Sequence, residues 1–350
     1  MINKIIYFSV HNRVIVFIFT ALFILVGWGA YESLTIDAMP DITNVQVSVN
    51  TMVEGLAPEE AERYITIPIE SVMNGIAGVT HVRSLTKFGL AQVVVNFEDG
   101  TDIYRARQQV SERLQSVLGD LPSGAKPELG PITTGLGEIY FYTVEADKIE
   151  TGEARMKQLM ELRALQEWVL KPRIMTVRGV ASVDTTGGYE KQYHVQPDPY
   201  KMSRYGIGFS EIRQALVHSN KNVGGGYIQK DGKQFLVQGK GIFESLEDIS
   251  KVPVKVLESF KTITIGDVAQ VNLGSSLRVG AALVEGKEAV LGMVYLLAGD
   301  NSRKVAQSVD EKMKEIQKIL PQNVHIETLY NRSDLVNATI NTVMHNLMTG

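Results

Sequence analysis

Residues 95–122 read VNFEDGTDIYRARQQVSERLQSVLGDLP, and residues 294–321 read VYLLAGDNSRKVAQSVDEKMKEIQKILP. The two stretches align without a gap at a constant offset of 199 residues. Each of them predicts a strand, a glycine-containing turn, an amphipathic helix and a stop at Leu-Pro. A succession of strand, turn and helix also recurs by chance. However, a 28-residue alignment that keeps the turn, the helix phase and the Leu-Pro stop favours an internal duplication.

The sequence around the first copy predicts an α+β sandwich. Residues 45–53 alternate as a strand, and Pro58 opens a helix whose first turn is acidic, where the helix dipole favours anions. Strands at 80–87 and 92–97 and a helix at 102–118 follow. The order β-α-β-β-α is that of the split βαβ, or ferredoxin-like, sandwich.

The sequence around the second copy predicts the same plan with an insertion. A strand at 138–145 and a helix at 156–177 come first, and the remaining elements appear only after about residue 262. The later elements are strands at 263–271, 277–284 and 289–297 and a helix at 302–320. The inserted part contains a short helix at 210–219 and a hairpin at 227–237, because Asp231-Gly232 is a type I′ turn signal.

The N-terminal region predicts a membrane helix. From Val14 to Tyr31 the chain has eighteen residues without a charge, eleven of which are Val, Ile, Leu or Phe. At 1.5 Å per residue this run is about 27 Å long, which is close to the hydrocarbon thickness of a bilayer. A cleaved signal peptide is the alternative, but its apolar core is shorter and small residues follow it. Here the core is longer and the bulky Trp28 lies at its exit, which favours a retained anchor.

The charges that flank this run predict its orientation. Lys4 and Arg13 precede it, whereas Glu32, Asp37 and Asp41 follow it. Positive residues stay on the cytoplasmic side, so the residues after about 33 should lie outside the cytoplasm. In a Gram-negative cell this compartment is the periplasm.

The C-terminal residues give a second membrane signal. Val336, Ile340, Val343 and Leu347 recur at helical spacing, and no proline or glycine stops the helix before Gly350. This pattern favours a helix that leads into a further membrane span in a longer chain. An ordinary amphipathic C-terminal helix is the alternative.

Composition excludes several classes of function. Lys and Arg number 35 against 39 Asp and Glu, a net charge of −4, which is unlike the basic excess of a nucleic-acid binder. The chain has no cysteine and therefore no disulfide and no thiolate chemistry. Motifs of P-loop ATPases, HExxH metalloproteases and GxSxG hydrolases are absent from the sequence.

Candidate metal ligands are few. The six histidines are scattered and are interpreted as surface or boundary residues: His11, His81, His194, His218, His325 and His345. Two methionine pairs at helical spacing, Met156 with Met160 and Met344 with Met348, could suit soft cations, but core packing explains that spacing better. The sequence therefore predicts no catalytic, cofactor-binding or metal-binding residue.

Five motifs stand out along the chain: TIDAMPDITNVQV at residues 35–47, RSLTKFG at 83–89, FEDGTD at 97–102, GPITTGLGEIY at 130–140 and YNRSDL at 330–335. Together with the order of elements, these motifs resemble the N-terminal portion of the resistance–nodulation–division (RND) efflux transporters, and among these the heavy-metal-efflux branch. The sequence resembles the cobalt–zinc–cadmium pumps more than the copper–silver pumps or the multidrug branch.

The resemblance implies a division of the chain into subdomains. Residues 1–13 would be cytoplasmic and residues 14–33 the first transmembrane helix. The first porter subdomain would be 34–130, the second would be 131–180 with 272–330, a docking subdomain would be 181–271, and 331–350 would lead into the second transmembrane helix. The hairpin at 227–237 would lie in the docking part, which in the family contacts neighbouring protomers.

The resemblance also implies a function. The protein would be an RND protomer of a tripartite pump and would export divalent heavy-metal cations in exchange for protons, as a transporter and not an enzyme. Its partners would be a homotrimer, a periplasmic membrane fusion (adaptor) protein, an outer-membrane channel and the lipid bilayer. It would lie in the bacterial inner membrane with about residues 34–335 in the periplasm, and it would need no cofactor. The family's proton-relay and metal-site motifs match no residue here.

Two other functions remain open from the sequence. One is multidrug-type RND export, and the other is a membrane-anchored periplasmic assembly protein that transports nothing. An anchored enzyme is weakest, because no nucleophile–base pair or metal constellation is visible.

Overall fold

The computed structural model describes most of the chain. The described residues are 7, 10–33, 37, 43–53, 55–257, 260–278 and 280–350. The chain divides into two units, of which the first holds Met1–Thr143, Leu170–Thr185 and Leu291–Gly350 and the second holds Val144–Val169 and Thr186–Val290. The predicted porter and docking boundaries describe a finer division and stay a prediction.

The helix α1 spans Arg13–Ser33. Among the described residues, its window Arg13–Ala30 is the one stretch of helix long and apolar enough to cross a bilayer, and none of that window is buried in the protein. The one hydroxyl of the window Arg13–Ala30, Thr20 Oγ1, donates to the Val16 carbonyl at 2.9 Å, so the polar group is satisfied within the helix. A membrane anchor and a signal sequence share this length and composition.

The first α+β body follows in the first unit. Its four strands form an antiparallel sheet in the order β2-β3-β1-β4, and the element order is β-α-β-β-α-β, that of the split βαβ arrangement. The elements are β1 Gln46–Met52, α2 Pro58–Ala61, a π-helical segment Glu62–Thr66, α3 Ile67–Met73, β2 Val79–Lys87, β3 Leu90–Phe97, α4 Ile103–Val117, a 3₁₀ turn Leu118–Asp120 and β4 Lys126–Leu129.

One face of this sheet packs on the helices because apolar residues alternate along its strands. Val49 of β1 lies opposite Val93 of β3, and both are fully buried. From α4, Val110 and Leu114 meet that face one helical turn apart. The helix begins where the predicted turn places it, since Asp102 accepts a hydrogen bond from the Arg105 backbone N–H at 2.7 Å.

The chain then enters a second sheet and a long insertion. The elements up to the insertion are β5 Glu138–Ala146, α5 Gly152–Leu165, a π-helical segment Gln166–Leu170, α6 Lys171–Ile174 and β6 Val180–Thr186. The insertion holds β7 Lys191–Pro197, α7 Pro199–Tyr205, α8 Phe209–Ser219, β8 Val223–Lys230, β9 Lys233–Gly239, α9 Leu246–Ser250, β10 Pro253–Val256, β11 Thr262–Thr264, α10 Ile265–Val268, β12 Ala269–Ser275 and β13 Ala282–Val284. The last elements are β14 Lys287–Leu296, α11 Ser302–Gln317, β15 Val324–Asn331 and α12 Arg332–Thr349.

The second sheet repeats the strand order of the first. β14 pairs with β5 and with β6, and β15 lies beyond β5, so that the order β6-β14-β5-β15 corresponds to β2-β3-β1-β4. β13 also pairs with the beginning of β14. In the second unit, β7 pairs with β12, β8 with β9 and β10 with β11.

Two sequence predictions in this region are wrong in detail. The strand expected at 263–271 is broken by α10, because Asp267 accepts hydrogen bonds from the Thr264 N–H at 2.8 Å and from Thr264 Oγ1 at 3.0 Å and so starts a helical turn. The strand expected at 277–284 contains only β13. β4, β6, β7 and β15 were not predicted.

Candidate functional site: the crossover segment, the helix junction and the exposed hairpin

The described residues contain no group of three or more His, Asp or Glu side chains placed to hold a metal ion. The six histidines are exposed or half-buried, which confirms their interpretation as surface or boundary residues. Met160 packs in the core as predicted, and Met156 is half-buried. Met344 and Met348 are exposed, so the prediction of core packing is wrong for this pair, which lies where α12 has left the protein body.

The motif at residues 130–140 forms a crossover segment that connects the two sheets of the first unit. The Gly130 N–H donates to the Ser48 carbonyl of β1 at 2.8 Å. At the other end, the Leu296 N–H of β14 donates to the Gly137 carbonyl at 2.7 Å, and the Ala298 N–H donates to the Ile132 carbonyl at 3.1 Å. The segment is therefore bonded into both sheets.

Two glycines of the crossover segment lie against hydroxyl groups. A Cβ at Gly130 would lie 2.0 Å from Ser48 Oγ, and one at Gly137 would lie 2.1 Å from Thr133 Oγ1. A side chain at Gly130 would therefore displace the Ser48 hydroxyl of β1, and one at Gly137 would displace the Thr133 hydroxyl and approach the Thr134 carbonyl oxygen at 3.0 Å. Arg107 also bonds the segment to α4, because its guanidinium donates to the Gly130 carbonyl.

A polar cluster follows directly at the end of the motif. The hydroxyl of Tyr140, whose side chain is fully buried, donates to Asp310 Oδ1 at 3.0 Å and shares a hydrogen bond of 2.7 Å with Thr328 Oγ1. Burial raises the pKa of Tyr140 well above its usual value, and the nearby Asp310 raises it further. Asp310 in turn pairs with Lys314 at 2.7 Å. The cluster ties β5 to α11 and β15, and its raised pKa keeps the Tyr140 phenol neutral.

A helix junction joins the segment after α1 to the start of α12. Arg332 donates from Nε to Asp37 Oδ1 at 3.0 Å, and its Nη2 lies 2.9 Å from the same oxygen. The Arg332 side chain is only 7% exposed, whereas that of Asp37 is 34% exposed. Burial lowers the pKa of Arg332, but the hydrogen bond to the Asp37 carboxylate, the negative charge of Asp37 and the interactions with Tyr330 together outweigh burial, so the pKa lies above the usual value.

The start of α12 is held in the body by its first residues. Asn331 caps the helix, because its Oδ1 accepts from the Ser333 N–H at 3.0 Å and from Ser333 Oγ at 2.8 Å. Arg332, Ser333 and Val336 are buried, but residues 341–350 are exposed throughout. The helix is therefore anchored at its first turn and then leaves the body.

The hairpin of β8 and β9, in the second unit, is exposed over its whole length. Its turn confirms the prediction, because Asp231 has a φ of 54° and Gly232 a φ of 74°, the positive pair that a type I′ turn requires. Apolar side chains stand on both of its faces, since Tyr227 lies opposite Leu236 and Ile228 lies opposite Phe235. A two-stranded ribbon with two apolar faces is only marginally stable in water alone.

Among the described residues, neither the crossover segment nor the helix junction contains a nucleophile beside a base. Sequence reasoning found the motifs that hold Asp37, Tyr140 and Arg332 but not their contacts. Asp37 and Arg332 are 295 residues apart, and no local pattern indicates such a pairing.

Comparison with known proteins identifies relatives along the whole chain. The AcrB/AcrD/AcrF family matches residues 5–350. Protein HelA of Legionella pneumophila is 47% identical over 350 residues, and the cobalt-zinc-cadmium resistance protein CzcA of Cupriavidus metallidurans is 44% identical over 353 residues; both alignments cover 100% of this chain and 33% of the relative. A crystal structure of a heavy metal efflux pump superposes with a TM-score of 0.85 at 35% identity, covering 97% of this chain and 33% of that one. The chain thus spans about a third of the length of the proteins it matches.

Proposed function

The chain belongs to the AcrB/AcrD/AcrF family, and we propose that the protein exports divalent heavy-metal cations of the cobalt–zinc–cadmium kind. This family consists of membrane transporters and includes the RND heavy-metal pumps. The observation that carries the proposal is the 44% identity, along the whole chain, to a protein named for cobalt, zinc and cadmium resistance. The metal ion is cargo here and not a resident cofactor.

The proposed place of the chain is the inner membrane. α1 crosses the bilayer with Lys4 and Arg13 on the cytoplasmic side, and about residues 34–335 lie in the periplasm. The two α+β bodies act as porter subdomains, with the boundaries 34–130 and 131–180 with 272–330, and the insertion at 181–271 acts as a docking subdomain. The repeated strand order of the two sheets supports two porter subdomains, and the pairing of β6 with β14 extends the second of them past residue 180 to about residue 186.

The proposed coupling ion is the proton. A proton relay requires ionisable groups buried inside a bundle of membrane helices. The described residues provide one candidate membrane helix, and its window has no acidic residue, so the proposal places the relay in parts of the protein outside this chain. The porter subdomains would then open and close a periplasmic cleft as the bundle takes up and releases protons.

The proposed assembly is a homotrimer that works with a periplasmic adaptor and an outer-membrane channel. The hairpin of β8 and β9 supports the trimer, because its two exposed apolar faces require cover from a neighbouring protomer. Leu236→Lys should reduce the trimer fraction of the complete protein, measured by mass photometry in detergent. The matched control is Gln234→Lys on the same strand, which replaces a polar residue paired with Gln229 and should leave the trimer intact. A trimer unaffected by Leu236→Lys contradicts this role of the hairpin.

The orientation has its own test, because the 350 residues contain no cysteine. A single cysteine from Ser210→Cys, at an exposed position of α8, should react with a membrane-impermeant maleimide in intact spheroplasts. A cysteine from Asn3→Cys should react only after lysis. The reverse pattern contradicts the proposed topology.

The function is tested by metal tolerance. The complete protein is expressed in a host that lacks its own pumps, which is then exposed to zinc, cobalt, cadmium, copper and cationic dyes. We expect tolerance to zinc, cobalt or cadmium to increase. Tolerance to dyes alone would favour multidrug-type export, and tolerance to nothing with a stable trimer would favour an assembly role; either result overturns the proposal.

A further inference from the structure

The helix junction contains a charged pair in a place where charge is costly. Removing the Arg332 guanidinium from water carries a large desolvation penalty, and this side chain is only 7% exposed. A pair of apolar residues of similar volume would often stabilise such a site as well or better. Stability alone therefore does not account for an arginine and an aspartate at this position.

The geometry of the pair indicates a directional link. Two nitrogens of Arg332, Nε and Nη2, converge on the single oxygen Oδ1 of Asp37, at 3.0 and 2.9 Å. Charge-assisted hydrogen bonds of this kind fix both distance and direction, whereas apolar contact allows two surfaces to slide. Tyr330 also bonds to Arg332 and contacts Phe141 of β5, with ring centroids 5.4 Å apart. The guanidinium is thus held from the sheet side as well.

The pair lies where two exposed helices meet the body. Asp37 follows α1 by four residues, and Arg332 is the first residue of α12. The window Arg13–Ala30 of α1 has no buried residue, and residues 341–350 of α12 are exposed. Among the described residues, the Asp37–Arg332 pair is thus a charged contact that links the segment after α1 to the start of α12.

We propose that Asp37 and Arg332 are positioning residues that form a strut between the end of α1 and the start of α12, and that this strut stays closed during transport and passes helix movement to the porter sheets. The inference rests on the proposed function, because it assigns a role to the pair within that transport cycle. In this role the charged contact between Asp37 and Arg332 is required, and apolar side chains of similar volume cannot replace it.

Three variants of the complete protein separate a strut from a simple stabilising contact. Asp37→Arg with Arg332→Asp reverses the pair and keeps an ionic link. Asp37→Leu with Arg332→Met replaces the link by apolar contact. Glu247→Arg with Lys251→Glu, which reverses an exposed ion pair of α9, is the matched control.

The first readout is the spacing of the two helices, and it does not depend on transport. Spin labels are placed at Val26→Cys and Val343→Cys, both exposed helix positions, in the complete protein with its other cysteines removed. The strut predicts a narrow distance distribution in the unmodified and charge-reversed proteins and a broad one in the apolar pair. An equally narrow distribution in the apolar pair overturns the inference.

The second readout is the initial rate of zinc transport into vesicles, per trimer. The apolar pair should transport about tenfold more slowly with an unchanged KM, since coupling residues typically change coupling by this order. The charge-reversed pair should recover most of the rate. If the apolar pair transports normally, the contact is a stabiliser and the strut is wrong. If the unmodified protein does not transport zinc, the proposed function fails. The distance distribution between the two spin labels still tests whether the Asp37–Arg332 pair forms a strut.

Discussion

The two sheets of the first unit are built alike and connected differently. Their strand orders correspond, and residues 199 positions apart in the sequence have the same structural role in the two sheets. Asp102 and Asn301 both cap a helix. Gly100 and Gly299 both have a positive φ, at 83° and 89°. However, β2 and β3 are joined by Phe88-Gly89, whereas residues 187–286 lie between β6 and β14.

The connection between the two paired edge strands is therefore the place where this fold accommodates a long insertion. The ends of the insertion belong to paired strands, so they remain close whatever lies between them. Loop-closure entropy grows only slowly with length, about 0.6 kcal/mol per doubling, so a long insertion costs little at such a place. The core of the repeat is thus preserved while the connection acquires a body with its own core around Ile263, Ile265 and Val268.

The two cores also differ at one equivalent position. Val93 is fully buried in β3, and the position 199 residues later is Gly292 in β14. A Cβ at Gly292 would lie 2.2 Å from Cζ of Tyr142, whose buried ring occupies that space. The second sheet therefore replaces a valine with the ring of a tyrosine from the neighbouring strand.

The largest expected effect tests whether the two helices pack equivalently. Leu114→Ala and Met313→Ala each remove a side chain that is at most 6% exposed, and each should lower the free energy of unfolding by about 3 kcal/mol. Urea denaturation of the chain in detergent measures both. Gln115→Ala, on the exposed face of α4, is the control and should change little. A loss at only one of the two positions would break the equivalence.

The next effect sharpens the difference between Val93 and Gly292. Gly292→Val should destabilise the chain by about 2 kcal/mol, because the core is overpacked against Tyr142. Combining it with Tyr142→Ala should give a double mutant less destabilised than the sum of the two single mutants. Additive losses would mean that Tyr142 is not the residue that excludes a side chain here.

The turn glycines should respond equally in the two repeats. Gly100→Ala and Gly299→Ala should each cost about 1–2 kcal/mol, since an L-residue is strained at these positive φ values. No other atom lies within 4 Å of a Cβ at either position, so the cost comes from the backbone alone. Asn tolerates this conformation, and Gly100→Asn should therefore cost less in the same denaturation experiment. Equal costs for Ala and Asn would point to steric contact instead.

The smallest effect concerns the two helix caps. Asp102→Ala and Asn301→Ala remove hydrogen bonds to the N–H groups of Arg105 and Lys304, at 2.7 and 3.0 Å, and each should cost about 1 kcal/mol. Asp102→Asn keeps an acceptor and serves as the control. If it destabilises the chain as much as Asp102→Ala, the side-chain cap is not the source of the effect.

Local signals predicted much of this fold, and distant contacts could not be predicted. The Asp231-Gly232 turn was predicted because two adjacent residues determine it. α10 was missed although its Thr264-x-x-Asp267 capping signal was present in the sequence, because the apolar pattern was interpreted as one strand. The Asp37–Arg332 pair depends on two folded sheets that bring residues 37 and 332 together, and one sequence carries no trace of such a contact.

Zinc transport by the complete protein is the decisive measurement for the proposed export function. The complete protein is placed in everted inner-membrane vesicles, and zinc accumulation is followed after a pH gradient with an acidic vesicle interior is imposed. Proton-coupled export predicts accumulation that a protonophore abolishes and that vesicles without the protein do not show. Accumulation no greater than in those empty vesicles, from a correctly inserted trimer, would contradict it.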